Sequence, residues 1–239
     1  DHAGLRFSKY PPGWPAALSA GIMLGLRAWV NPLLAGLGIW LTYRLGRRVF
    51  SPGVGLLAGA LTLSSPFFLM NSGSLLSHPL GLVLAAGFAW AWLAAFGPRP
   101  VRHPWLPTLV AGLLLIALLL TRPLSAAGVA LPFGVHGLVR LARGTWEQRR
   151  RLLVVALAGL VGVGLYLWWQ YSLTGDPLLN PYTLWWPYDR VGFGPGFGVT
   201  EAGHTLRQGL RNTWTNLLSG NCDLFGWGIF SWLFLPFGV

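Results

Sequence analysis

Residues 105–121 read WLPTLVAGLLLIALLLT, and Arg122-Pro123 and a second apolar run, 124–139, follow at once. Neither run alternates apolar and polar positions, so neither reads as a strand of a membrane barrel. An uncharged run of this length suits a membrane helix, which needs about 20 residues, with a range of roughly 17–25. Working outward, similar runs lie at 29–43, 52–70, 79–96 and 152–170, and 224–239 reads as the start of a further span. Residues 12–26 are short and bordered by Trp14 and Arg27. They fit either a helix lying in the interface or a tilted short span. The expected fold is all-α: a polytopic transmembrane helix bundle of six to seven spans, with an interfacial helix and one long external loop.

Composition agrees with that class. Of 239 residues, 54% are hydrophobic and 10% charged, and mean hydropathy is +0.55. A soluble domain carries about 25% charged residues, so this chain has too little charge to coat a globule in water. A net charge of +11 raises the question of nucleic acid. The arginines sit in short clusters between apolar runs and build no basic face, which argues for no nucleic-acid partner. The single cysteine, Cys222, excludes an internal disulfide. The chain opens on Asp1 and its last apolar run stops at Val239, so it reads as an internal segment.

Charge orients the runs. Arg44, Arg47, Arg48, Arg99, Arg102, Arg140, Arg143, Arg149, Arg150 and Arg151 are ten of the 17 basic residues, and all fall in connections at one end of the spans. The excess of arginine in short cytoplasmic loops makes that end cytoplasmic. The other end receives 71–78, the Arg122-Pro123 turn and the segment 171–223. The chain therefore divides into a transmembrane region at 1–170, with an N-terminal external or interfacial segment, an external loop at 171–223 and the beginning of another span at 224–239. The loop holds the turn signal Thr174-Gly175-Asp176-Pro177, the aromatic Trp185-Trp186-Pro187-Tyr188 and a glycine-rich stretch at 192–198. Residues 204–218 suit a short amphipathic helix on the membrane. The glycine-rich stretch lacks the Lys-Ser/Thr of a phosphate-binding loop.

The stretch Phe7-Ser8-Lys9-Tyr10-Pro11-Pro12-Gly13-Trp14-Pro15 holds the only lysine of the chain. Its Ser8–Pro15 part resembles the segment after the first external loop in GT-C membrane glycosyltransferases, the glycosyltransferase family 39-like relatives of protein O-mannosyltransferases and aminoarabinose transferases. Further landmarks keep that family's order. Tyr43-Arg44-Leu45-Gly46-Arg47-Arg48-Val49-Phe50 resembles its first cytoplasmic turn, and Ser65-Pro66-Phe67-Phe68 leading to Ser77-His78-Pro79 its second external loop. Thr121-Arg122-Pro123, Gly175-Asp176-Pro177, Gly203-His204-Thr205 and Leu224-Phe225-Gly226-Trp227 resemble later ones. The resemblance implies a glycosyltransferase in the cytoplasmic (plasma) membrane. It implies a polyprenyl-phosphate-linked sugar donor, an inverting displacement on the outer face, and a lipid, glycan or protein of the cell envelope as acceptor. It places the catalytic carboxylate upstream of the Lys-Tyr-Pro-Pro segment, so the catalytic residue is unknown here. Some relatives bind a divalent metal ion, but the scattered His and acidic residues have no ligand spacing.

A lipid-phosphate leaving group calls for cations at the membrane–water boundary. Lys9 supplies a point charge, with Tyr10 shaping the site; the plainer reading is a lysine that snorkels to headgroups. Arg122 either meets the donor phosphate or faces headgroups at a hairpin end. His78 follows Ser77 at a helix start and is either a loop histidine beside an N-cap or a phosphate or proton-transfer group. The resembling transferases carry an acidic residue near this point, so His78 is a departure. Asp176 reads as an Asx turn before Pro177 or as a substrate contact. His204 and Glu201 could serve an acceptor or metal site, and Asp189 and Arg190 could pair or meet sugar. The 185–188 aromatics suit sugar stacking or an interfacial belt. Arg6 reads equally as surface or as site. Two alternatives stand beside the enzyme. One is a transporter or flippase of lipid-linked sugars, expected to show ionisable residues within spans or broken helices, neither of which the sequence displays. The other is a non-catalytic membrane scaffold.

Overall fold

The computed structural model describes residue 4, residues 7–188 and residues 190–233. Its helices are α1 (Gly13–Met23), α2 (Val30–Val49), α3 (Pro52–Ser64), α4 (Pro66–Ser72), α5 (His78–Phe96), α6 (Trp105–Thr121), α7 (Pro123–Arg143), α8 (Trp146–Thr174) and α9 (Leu206–Asp223). Among the described residues there is no strand, only an isolated bridge between Gly194 and His204. Local chemistry sets the starts. Proline occupies the first turn of α3, α4, α5 and α7, where its missing N–H costs nothing. Thr145 and Gln148 form a reciprocal capping box on α8. Gly175, at φ 77°, ends that helix in a conformation that suits glycine.

The core is centred on α5. Phe88, Trp92, Ala95 and Phe96 pack with Ala111 and Leu115 of α6 and with Leu152 and Val155 of α8. Some 72% of the apolar window of α5 is buried, against 11% for α7 and 17% for α8. The outer helices point their leucines outward: Leu131, Leu138, Leu157 and Leu160 are all at least 61% exposed. So much apolar surface is costly against water and fits hydrocarbon, so these helices are membrane-embedded.

Three helices are long and apolar enough to cross a membrane, namely α5, α7 and α8, and the α3–α4 pair makes a fourth if it is one span. That is fewer than the six to seven expected. Helix α6, at 17 residues, is at the lower limit for a crossing, and the second half of α2 carries Arg44, Arg47 and Arg48. The run 52–70 is not one helix either: it breaks at Ser65-Pro66 with a bend of 65°. The residue before a proline avoids helical geometry, and Ser65 is extended, at φ −69° and ψ 117°.

Helix α1 does not cross. Its 11 residues reach only about 16 Å at 1.5 Å each, against a hydrocarbon core of about 30 Å. Gly13 packs on the end of α6, where an added Cβ would lie 2.9 Å from the carbonyl oxygen of Leu120. Trp14 Nε1 donates to the carbonyl of Leu75 at 3.0 Å, and Gly21 packs on Val30 at the start of α2. Both ends of α1 thus meet the same end of the bundle, and Lys9 stays there.

The opposite end gathers the arginines around the C-terminus of α5. Arg48 Nη2 donates to the carbonyls of Leu93 (3.1 Å) and Arg99 (2.7 Å), and the buried Arg151 donates to that of Ala95 (2.8 Å). Cations there satisfy the last helical carbonyls and complement the helix dipole.

Residues 224–233, where the sequence reading begins a further span, form turns and the 3₁₀ turn Gly228–Phe230, with Gly226 and Gly228 at φ 68° and 59°. Trp232 turns back on α9, its backbone N–H on Asn221 Oδ1 (3.1 Å) and its indole N–H on the carbonyl of Leu217 (2.9 Å). Residues 234–239 lie outside the described residues.

Candidate functional site

The end of the bundle that carries α1 also carries the starts of α2 and α5, the α6–α7 turn and the end of α8. The connection before α5 is tied into it, because Asn31 donates from Nδ2 to the carbonyls of Ser74 and Leu76. The contact of Gly13 with Leu120 and Thr121 then sets the Lys9-Tyr10-Pro11-Pro12 stretch and Arg122 at the same end of the bundle, more than 100 residues apart in sequence.

Lys9 sits among aromatic rings. Its Nζ lies 3.8 Å from the ring centroid of Trp186, 4.8 Å from that of Tyr182 and 5.0 Å from that of Tyr10. Tyr182 and Trp186 are themselves in ring contact at 5.0 Å. The loop therefore delivers two rings to the lysine. Asn180 positions Tyr182 by accepting its backbone N–H at Oδ1 (3.0 Å), and Pro181 starts the short 3₁₀ turn Pro181–Leu184. Tyr182 carried no signal in the sequence beyond the Asn180-Pro181 turn before it.

Arg122 is half-buried in the break between α6 and α7, at φ −147° and ψ 79°. Its Nε donates to Ser125 Oγ (3.2 Å) and its Nη1 to Ser77 Oγ (3.1 Å). Its stem lies against Gly81, where a Cβ would come within 2.8 Å of Cδ. Ser77 thus spends its oxygen on Arg122 and makes no side-chain cap on α5. Neither serine stands out in the sequence, because their role depends on where Arg122 lands.

His78 follows Ser77 and borders a cavity of about 410 Å³ between the α3–α4 break and α5. Ser65, Phe68, Asn71 and Leu82 line it, and Leu224 and Phe225 close its rim. Ser65 Oγ holds that rim, accepting from the backbone N–H of Phe68 and donating to the carbonyl of Leu224.

Two expected residues do other work. Asp176 is exposed and accepts the backbone N–H of Leu178 at Oδ1 (2.8 Å), which is an Asx turn. His204 fastens the glycine-rich loop: Nδ1 meets the carbonyl of Gly192 at 3.2 Å and the ring stacks on Phe193 at 5.0 Å. Its buried Nε2 has no hydrogen-bond partner among the described residues. Among the described residues neither is hydrogen-bonded to or ion-paired with Lys9 or Arg122. Trp185 is exposed, whereas Trp186 is half-buried against Lys9. Arg6 and Asp189, both candidates from the sequence, lie outside the described residues.

Among the described residues no three His, Cys, Asp or Glu side chains come together as a metal site. No carboxylate among them pairs with Lys9 or Arg122; the ion pair among the described residues, Arg150–Glu147 at 4.0 Å, lies at the opposite end of the bundle. What this end of the bundle offers is a lysine on three rings, an arginine held by two serines, and a cavity bordered by His78. Comparison with protein-family models, with curated proteins and with solved structures finds no match.

Proposed function

We propose that this protein is an integral membrane glycosyltransferase that uses a polyprenyl-phosphate-linked sugar, with its donor site at the Lys9–Arg122 end of the bundle. In this reading α2 and α6 also cross the bilayer, packed as they are on α5. With the α3–α4 pair, α5, α7 and α8 they make six passages. The arginine-rich end is cytoplasmic by charge, and the site faces outward. The observation that supports the reading is that Lys9 and Arg122 stand at the same end of the bundle, neither in an ion pair with a carboxylate among the described residues. Cations held at such a boundary need an anion.

The chemistry follows from those groups. As the anomeric C–O bond breaks, negative charge grows on the leaving lipid phosphate. Arg122, already oriented by Ser77 and Ser125, presents its remaining N–H groups to that phosphate. The Lys9 ammonium turns from the face of Trp186 to the phosphate, and the freed ring faces suit the sugar. The carboxylate that assists the acceptor hydroxyl is not assigned. The test is transfer from radiolabelled polyprenyl-phosphate sugars to membrane extract. Lys9→Ala and Arg122→Ala should each lower turnover about 10²–10³-fold, the usual loss for one group that stabilises transition-state charge. Turnover unchanged in both folded variants would remove this site.

One observation favours a second reading, a flippase of lipid-linked sugars. The α3–α4 pair is broken at Ser65, and transporters place substrates at discontinuous helices. Translocation of a fluorescent lipid-linked sugar by proteoliposomes, without transfer, would favour it.

A further inference from the structure

The arginine-rich end holds a second constellation, remote from the proposed donor site. A groove of about 280 Å³ runs between α2, α5 and α6, and Leu37, Leu41, Val83 and Leu114 are among its walls. Trp40, Trp90 and Arg44 close it. The Arg44 guanidinium carbon lies 5.0 Å from the Trp40 ring centroid and 5.3 Å from that of Trp90. Arg48 approaches the same Trp90 ring at 5.9 Å while its Nη2 is spent on the carbonyls of Leu93 and Arg99.

Arg44 is half-buried, and no carboxylate or hydrogen-bond acceptor among the described residues meets it. Ring faces stack on the plane of a guanidinium and leave the N–H fork at its edge free. That fork matches a phosphate. At about 280 Å³ the groove is too small to take in a helix, about 10 Å across with its side chains, and suits a stretch of a single hydrocarbon chain. The lining is wholly apolar, the Arg44 guanidinium lies against the two tryptophans that border it, and such tryptophans mark the level of the headgroups.

We infer that this groove binds one anionic phospholipid, with an acyl chain between α2, α5 and α6 and the headgroup phosphate on Arg44. The inference rests on these three helices standing in the bilayer and not on the transferase reading. A lipid held there bridges α2 to α5 and α6.

The test uses the purified protein in neutral detergent, titrated with phosphatidylglycerol and with phosphatidylcholine of the same chains, bound lipid being counted by native mass spectrometry. Phosphatidylglycerol should bind the more tightly. Arg44→Gln should weaken it about tenfold, while Arg47→Gln, on the same turn but outside the groove, should stay within about twofold. Leu37→Trp, at an exposed wall position, should block the chain and also weaken binding; it reads the groove if Arg44→Gln fails to fold. Millimolar inorganic phosphate should not displace the lipid. Equal binding of the two lipids, wild-type affinity in a folded Arg44→Gln or Leu37→Trp protein, or displacement by phosphate alone would each overturn the inference.

Discussion

At the scale of single residues, the cations divide by partner. Arg151 and Arg48 are spent on backbone carbonyls at the end of α5, Arg122 on two serines, and Lys9 on aromatic rings. Arg151 is 5% exposed, so its loss should be felt by the fold. Arg151→Met should cost about 1.5–3 kcal/mol, the worth of a hydrogen bond to a charged group. Arg150→Met, at an exposed neighbour, should change stability by less than about 0.5 kcal/mol. Denaturant titration of the two variants in detergent checks the contrast, and equal effects would deny Arg151 its capping role. Trp186→Ala tests the clasp on Lys9. A cation–π contact contributes about 0.5–2 kcal/mol, so the loop near 181–198 should be cleaved about two- to thirtyfold faster in limited proteolysis. An unchanged cleavage rate would mean that the ring contacts do not hold the loop.

At the scale of elements, two features position everything else. Helices α2 and α3 meet through Gly46 and Gly55: a Cβ on Gly55 would lie 2.6 Å from the carbonyl oxygen of Tyr43. Small residues let backbones approach closely in membranes. Gly55→Leu should therefore destabilise the pair by about 1–3 kcal/mol through overpacking, seen as lost resistance to denaturant, whereas Gly36→Ala, with open space around it, should be tolerated. The second feature is the break at Ser65. Its hydroxyl caps α4 and fastens Leu224. Ser65→Ala should cost about 1 kcal/mol as a lost cap, and faster hydrogen exchange in both α4 and 224–233 would show that one oxygen serves both.

At the scale of the whole molecule, the claim is two unlike ends. Single cysteines at Lys9 and at Arg99, in a chain with Cys222 replaced by serine, should react with an impermeant thiol reagent from opposite faces of sealed vesicles. Labelling from the same face would overturn the topology and with it the site. Much of this was legible in advance. The apolar runs from 79 onward match α5–α8 because uninterrupted apolar sequence in lipid has helix as its open-ended solution. The arginine clusters marked one end because charge is confined to the connections. The run 52–70 hid its bend because a proline break costs hydropathy nothing, and the turns at 224–233 left no mark in an apolar stretch.

The amino-acid sequence alone determined the helical membrane class, the places of α5–α8 and the sorting of arginine to one end. Those are properties of consecutive residues, set by hydrophobicity and charge over windows of one span. Only the tertiary structure decided that α1 lies across the bundle end, that Lys9 rests on Trp186, that Arg122 is held by Ser77 and Ser125, and that His204 and Asp176 serve local turns. Each of those depends on which side chains from distant segments come within a few ångströms, and the packing of α1 on α6 and of the 181–186 loop on Lys9 sets that distance.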